Sequence, residues 1–103
     1  MKIKNYVDEN LNHDLSLTYI SEQVYLTPSY LSKIFKAKTG ENLSEYIFAQ
    51  KMKKACEMLS ETNLSIAEIS EQTGFSVPHY FIKKFKETYG ITPKTYRVTS
   101  VKK

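Results

Sequence analysis

Leu15-Ser-Leu-Thr-Tyr-Ile-Ser-Glu-Gln23 returns further along the chain as Leu64-Ser-Ile-Ala-Glu-Ile-Ser-Glu-Gln72, with six of nine residues identical at an offset of 49. The echo resumes at an offset of 50: Pro28, Tyr30, Lys33, Phe35, Lys36 and Gly40 reappear as Pro78, Tyr80, Lys83, Phe85, Lys86 and Gly90. The change of offset predicts one unit of two short helices used twice, with a single extra residue in the second turn. Two copies fall short of the roughly three that a solenoid needs to bury a continuous core. They suit a ligand that itself repeats.

Around the repeat, apolar residues fall at helical spacing and strand signals are nearly absent. Ile3, Tyr6, Val7 and Leu11 form one stripe, closed by the polar break Asn12-His-Asp14. Leu17, Ile20 and Val24 form a second, with Ser16 as its N-cap. Thr27-Pro28 starts the next helix, because threonine caps and proline at the first position lacks only an amide that would be unbonded anyway. Leu31, Ile34 and Phe35 face inward there, and Gly40 supplies a left-handed stop. Asn42-Leu-Ser-Glu45 has capping-box spacing and opens a long helix through Leu43, Tyr46, Ile47, Met52, Ala55 and Leu59. Ser65-Ile-Ala-Glu68 is a second capping box; Gly74 ends that helix, Ser76 begins the next and Gly90 ends it. Thr92-Pro93 starts a last turn reaching Arg97, and residues 98–103 read as a frayed tail. The expectation is a single all-α domain of seven helices over residues 1–103. Two helix-turn-helix subdomains (3–40 and 64–97) flank a linker helix (42–60).

Composition narrows the class. The 103 residues, 41% hydrophobic and 25% charged, read as one globular domain. No apolar run approaches the ~20 residues of a membrane span, so no membrane partner is expected. Met1-Lys-Ile-Lys-Asn-Tyr6 leads into polar sequence, unlike a signal peptide. A lone Cys56 fits a reducing cytoplasm and reads as a small core filler. The net charge is +4, and its placement tells more than its size. Residues 27–40 carry Lys33, Lys36 and Lys38 and no acid, whereas Glu22, Glu68 and Glu71 gather on the first helix of each unit. A basic element beside an acidic one reads as a surface for a polyanion, with solvated lysines as the bland alternative.

Within each unit a short helix meets a second after a tight turn, the arrangement whose second helix can lie in a major groove. Three details strengthen that reading. Ser21 and Ser70 supply small side chains where the helices should cross, and their hydroxyls can bond back one turn. Leu31, Ile34 and Phe35 oppose Ser29, Ser32, Lys33 and Lys36; Phe81, Phe85 and Tyr89 oppose His79, Ile82, Lys83 and Lys86. The outward face is basic in both copies. Duplex DNA, which repeats every turn, is the natural polyanion.

Ile66-Ala-Glu-Ile-Ser70, Gly74-Phe-Ser76, Tyr80-Phe-Ile-Lys-Lys-Phe-Lys86 and Gly90-Ile-Thr-Pro-Lys-Thr-Tyr-Arg97 resemble the DNA-binding domain of the AraC/XylS family of bacterial transcription regulators. The first unit matches through Ile20-Ser21, Leu26-Thr-Pro-Ser-Tyr-Leu-Ser-Lys-Ile-Phe-Lys36 and Thr39-Gly40. The resemblance implies double-stranded DNA as partner, RNA polymerase as a further one, and recognition helices entering successive major grooves on one DNA face. Two histidines and one scattered cysteine are a poor metal set, and no cofactor or metal is expected. The resemblance also implies that Ser29, Ser32 and Lys33 read bases in the first unit. In the second, the matching positions are Pro78, His79, Ile82 and Lys83.

The chemistry is uneven. Lys33 and Lys83 can donate to guanine, but without the bidentate fork of the arginine that the family commonly has at the position of Lys83. Ile82 offers only apolar contact, suited to a thymine methyl, and Pro78 sets the helix start. DNA shape should therefore carry more of the specificity. Phosphate contacts are expected from Tyr30, Lys36, Ser76, Tyr80, Lys84, Lys86 and Arg97. For Lys84 and Arg97 a solvated surface cation is the competing reading, and for Tyr96 it is packing. Tyr25 stands where the second copy has Gly74, and in a left-handed conformation would carry about 1 kcal/mol of strain.

The expected linker helix spans roughly 28 Å at 1.5 Å per residue. Neighbouring grooves lie about 34 Å apart on one DNA face. Rigid units would need bent DNA; flexible units could relax instead. An enzyme is disfavoured, because His13 and His79 are far apart with no acid or nucleophile at a telling spacing. A helical interaction or RNA-binding module remains the rival. Family members usually carry a sensor or receiver domain upstream, so the chain is either a piece of such a regulator or one of the stand-alone members. Met1-Lys-Ile-Lys4 reads as a cut in a linker and favours the piece.

Overall fold

A computed structural model describes residues 2–12 and 15–100. Its helices are α1 (Lys2–Glu9), α2 (Leu17–Gln23), α3 (Pro28–Thr39), α4 (Leu43–Glu61), α5 (Ile66–Gln72), α6 (Pro78–Tyr89) and α7 (Pro93–Ser100). The described residues are thus all-α. The expected break at His13 and Asp14, and the end of the expected tail at 101–103, lie outside the described residues. The remainder of that tail is not frayed, since α7 runs through Ser100.

The molecule measures 46 × 24 × 21 Å because it has two cores strung along α4. Ile3, Val7, Leu15, Ile20, Leu31 and Phe35 pack against Leu43 and Ile47 of α4. Ile69, Phe75, Phe81 and Phe85 pack against Met52, Ala55 and Leu59 further along it. Cys56 is partly buried in the second core, as a small filler should be. The polar edge of the first core is tied by Lys4 to Glu41 at 3.1 Å and by the Tyr46 hydroxyl, which donates to Asp8 at 3.2 Å.

Helix starts follow from the residues before them. The hydroxyls of Ser16 and Thr27 accept from the amides of Tyr19 and Tyr30 at 3.1 and 3.2 Å. Each such cap stabilises by about 1 kcal/mol. Ser65 and Glu68 form the full reciprocal box, whereas Asn42 accepts from the Glu45 amide and the return bond is missing among the described residues. The second turn does hold one residue more than the first, and that residue corrects the expected start at Ser76. α6 begins at Pro78 behind Val77, which has no side chain able to cap it. The insertion has moved the hydroxyl one residue too far upstream.

Both helix-turn-helix corners end their first helix in the same left-handed turn. The amides of Leu26 and Phe75 each donate to the carbonyls of Ser21 and Ser70 at 2.9 Å, with Tyr25 at φ 60° and Gly74 at φ 81° between them. Ser21 bonds back to the Thr18 carbonyl at 2.8 Å as expected. Ser70 does not; its hydroxyl reaches forward across the turn to the Phe75 carbonyl at 2.9 Å.

Candidate nucleic-acid interface

The residues assigned to the first recognition helix come together. Ser29, Ser32, Lys33 and Lys36 of α3 line one open hollow of about 570 Å³, which Leu17 and Asn42 also border. Ser29, Lys33 and Lys36 are exposed and Ser32 is half-buried. Tyr30 stands beside them, half in solvent. Asn42, read from the sequence as a cap alone, is brought to this hollow by the turn after Gly40. No spacing along one helix could have revealed a neighbour supplied by the next.

The second copy is less open. His79, Lys83 and Lys86 of α6 are exposed, and Tyr80 is half-exposed. Ile82, expected on the outward face, is half-buried and packs against the second core. Only the edge of its side chain is left for a ligand. Tyr89, expected inward, is exposed at one edge, although its ring lies 4.7 Å from that of Phe85. Ser76 and Pro78 line a different hollow, of about 500 Å³, with Asn12, Ser70 and Gly74.

Electrostatics sorts the cations. None of Lys33, Lys36, Lys83 or Lys86 forms an ion pair with the described residues. Lys84 pairs with Glu87 at 3.2 Å and lies 5.8 Å above the Tyr80 ring, so its charge is partly spent within the protein. Arg97 is committed further still. Its Nε donates to the Leu59 carbonyl at 3.0 Å and Nη2 to the Thr62 carbonyl at 3.2 Å. Tyr96 packs edge-on against Phe85 at 5.6 Å. Burial, followed by the Cys56 thiol, raises its phenol above the usual value.

Lys51 escaped the sequence reading altogether. It is buried in α4 and touches the turn before α6. Its signal was present: it falls in the i, i+4 series Leu43, Ile47, Lys51, Ala55, Leu59 on the apolar face.

Two helix-turn-helix corners on one linker helix, each presenting a basic second helix with uncommitted lysines, define a sequence-specific DNA-binding domain of the kind used in transcription regulation. The model of the helix-turn-helix domain family matches residues 20–99. PocR, a regulatory protein of Salmonella typhimurium, is 41% identical over 96 residues, which cover 93% of this chain and 32% of PocR. The multiple antibiotic resistance protein MarA of the same organism is 31% identical over 99 residues, covering 96% of this chain and 78% of MarA. Among solved structures, the C-terminal domain of the two-component response regulator yesN from Fusobacterium nucleatum superposes with a TM-score of 0.87. It is 41% identical and covers 92% of this chain and 93% of that domain. The chain belongs to the AraC-type helix-turn-helix family. It spans about a third of the length of PocR.

Proposed function

We propose that α3 and α6 enter successive major grooves on one face of a duplex and read two different half-sites. The observation that carries this reading is the matched set Lys33, Lys36, Lys83 and Lys86, outward on both helices and unpaired with any described carboxylate. Ser29, Ser32 and Lys33 read bases in one half-site. His79 and Lys83 read them in the other, where Ile82 contributes only an apolar edge. Tyr30, Lys36, Ser76, Tyr80 and Lys86 hold phosphates, with Lys84 a weaker contributor. α4 has 19 residues, about 28 Å at 1.5 Å each. Joining grooves about 34 Å apart through this helix bends the DNA toward the protein.

The domain acts by binding, without a catalytic step, as the DNA-reading end of a longer cytoplasmic regulator that activates transcription through RNA polymerase. The share of PocR that it spans supports a further sensor or receiver domain, and the match to the yesN domain favours a receiver. No helix among the described residues is long and apolar enough to cross a membrane.

Selection of bound duplexes from a random pool tests the reading. It should return a bipartite, non-palindromic motif with fixed spacing. A salt titration on the selected site should give log K falling with log salt at a slope near −5, for about six phosphates neutralised. Binding indifferent to duplex sequence, or equal binding to RNA, would favour the rival interaction module.

A further inference from the structure

Lys51 is the only charged side chain buried among the described residues, 6% exposed. Desolvating an ammonium group costs several kcal/mol unless acceptors hold it. A lysine in that place therefore needs a local reason. Its Nζ donates to the Gly74 carbonyl at 3.5 Å and lies 5.4 Å from the centre of the Phe75 ring. These two contacts are with the turn that delivers the chain from α5 into α6.

The position along α4 matters as much as the partners. Ile47 is the last α4 residue in the first core, and Phe48 and Met52 already pack in the second. Lys51 lies in the first turn of α4 that seats the second unit, just past the point where the helix leaves the first. Most of the second unit's seat on α4 is apolar and non-directional. Arg97 adds a polar tie from α7 to the far end of α4, away from the turn into α6. A cation aimed at one carbonyl and over one ring face is directional. The same turn is braced from its own side by Ser70 to the Phe75 carbonyl and by Thr73 to the Ile69 carbonyl at 2.8 Å. The first unit has no such strut: among the described residues no side chain donates to the carbonyl of Tyr25, the matching left-handed residue.

We propose that Lys51 is a positioning residue that fixes α6 against the linker helix and thereby sets the half-site separation the domain accepts. The inference rests on the reading that both recognition helices bind one duplex. It assigns Lys51 a part in spacing selectivity without contact to DNA.

The test uses duplexes carrying the selected half-sites at the selected separation and with one or two base pairs added or removed. The unaltered protein should prefer one separation. Lys51→Met keeps the length of the side chain and removes its charge. It should shrink the ratio of affinities between the best duplex and its one-base-pair neighbours by about threefold or more. Lys51→Arg should keep the ratio. Circular dichroism and thermal unfolding report whether each variant is folded; if Lys51→Met is not, Lys51→Gln carries the comparison. An unchanged ratio, whatever the loss of absolute affinity, overturns the proposal and leaves Lys51 a purely stabilising residue. An unaltered protein that ignores separation overturns the two-groove reading itself, and the proposal with it.

Discussion

Arg97 reaches from α7 to the end of α4, where its Nε donates to the carbonyl of Leu59 at 3.0 Å. The last carbonyls of a helix lack partners within it and carry the negative end of its dipole, so a guanidinium there satisfies both needs. This internal role separates Arg97 from the phosphate contacts with which the sequence groups it. Arg97→Met should lower unfolding free energy by about 1–3 kcal/mol. It should leave the salt slope of DNA binding unchanged, whereas Lys36→Ala should reduce that slope by about 1. Urea unfolding and salt titration of both variants check this. A reduced slope with intact stability in Arg97→Met would return the residue to the interface.

The missing cap of α6 is open to repair. Val77 has φ −122° and ψ 117°, an extended conformation that a capping residue adopts without strain, and its side chain is half in solvent. Val77→Thr should copy the Thr27 cap and stabilise by about 0.5–1 kcal/mol. In a domain of this size that corresponds to a rise in Tm of about 2–8 °C. A Tm unchanged or lowered would mean that the extra residue holds the backbone away from capping geometry.

Tyr25 occupies the left-handed region at φ 60° and is 93% exposed, so no packing offsets its strain. Its counterpart is Gly74. Tyr25→Gly should therefore stabilise the first unit by about 0.5 kcal/mol, what is left of a strain of roughly 1–2 kcal/mol after the roughly 0.5–1 kcal/mol of entropy that glycine loses. Denaturant unfolding measures the change. A destabilised Tyr25→Gly protein would contradict the strain argument.

Tyr46 connects stability to pH. Burial, then the Asp8 carboxylate it bonds, pushes its phenol up from 10.0 to about 12. The folded state thus holds this proton more tightly than the unfolded chain does. Its contribution is complete below pH 10 and is lost as pH rises through about 12. Stability should fall across that window, less steeply in Tyr46→Phe, which has no proton to lose there. Parallel slopes for the two proteins in urea titrations at successive pH values would exclude Tyr46 as a source.

The scaffold is legible in the sequence because it is local: caps, left-handed glycines and i, i+4 stripes all act within a turn or two. Ser16, Thr27 and Ser65 cap as their spacing predicts. What escapes are contacts closed across the fold. Ser70 chooses the carbonyl of Phe75 ahead of it over one behind, Arg97 finds the end of a helix 38 residues upstream, and Lys51 finds Gly74. Ile82 shows a subtler limit. A helical wheel gives direction, but the width of the buried sector depends on what packs from the neighbouring helices.

The two lysines at matched positions have different surroundings. Lys33 shares its hollow with Ser29, Ser32 and Asn42, which can orient an ammonium and discriminate among base edges with it. Lys83 is exposed on α6, one helical turn from exposed His79 and from the like charge of Lys86. Lysine is a point charge on a flexible stem, so its specificity depends on such neighbours more than that of arginine. Lys33→Ala should therefore cost about 1–3 kcal/mol on the selected duplex and much less on scrambled DNA. Lys83→Ala should cost a similar total spread more evenly between the two, while Lys83→Arg should sharpen preference for guanine in the second half-site. Fluorescence anisotropy on both duplexes at one salt concentration decides it. If Lys33→Ala loses equally on selected and scrambled DNA, its lysine is a phosphate contact, and sequence reading in the first half-site falls to Ser29 and Ser32.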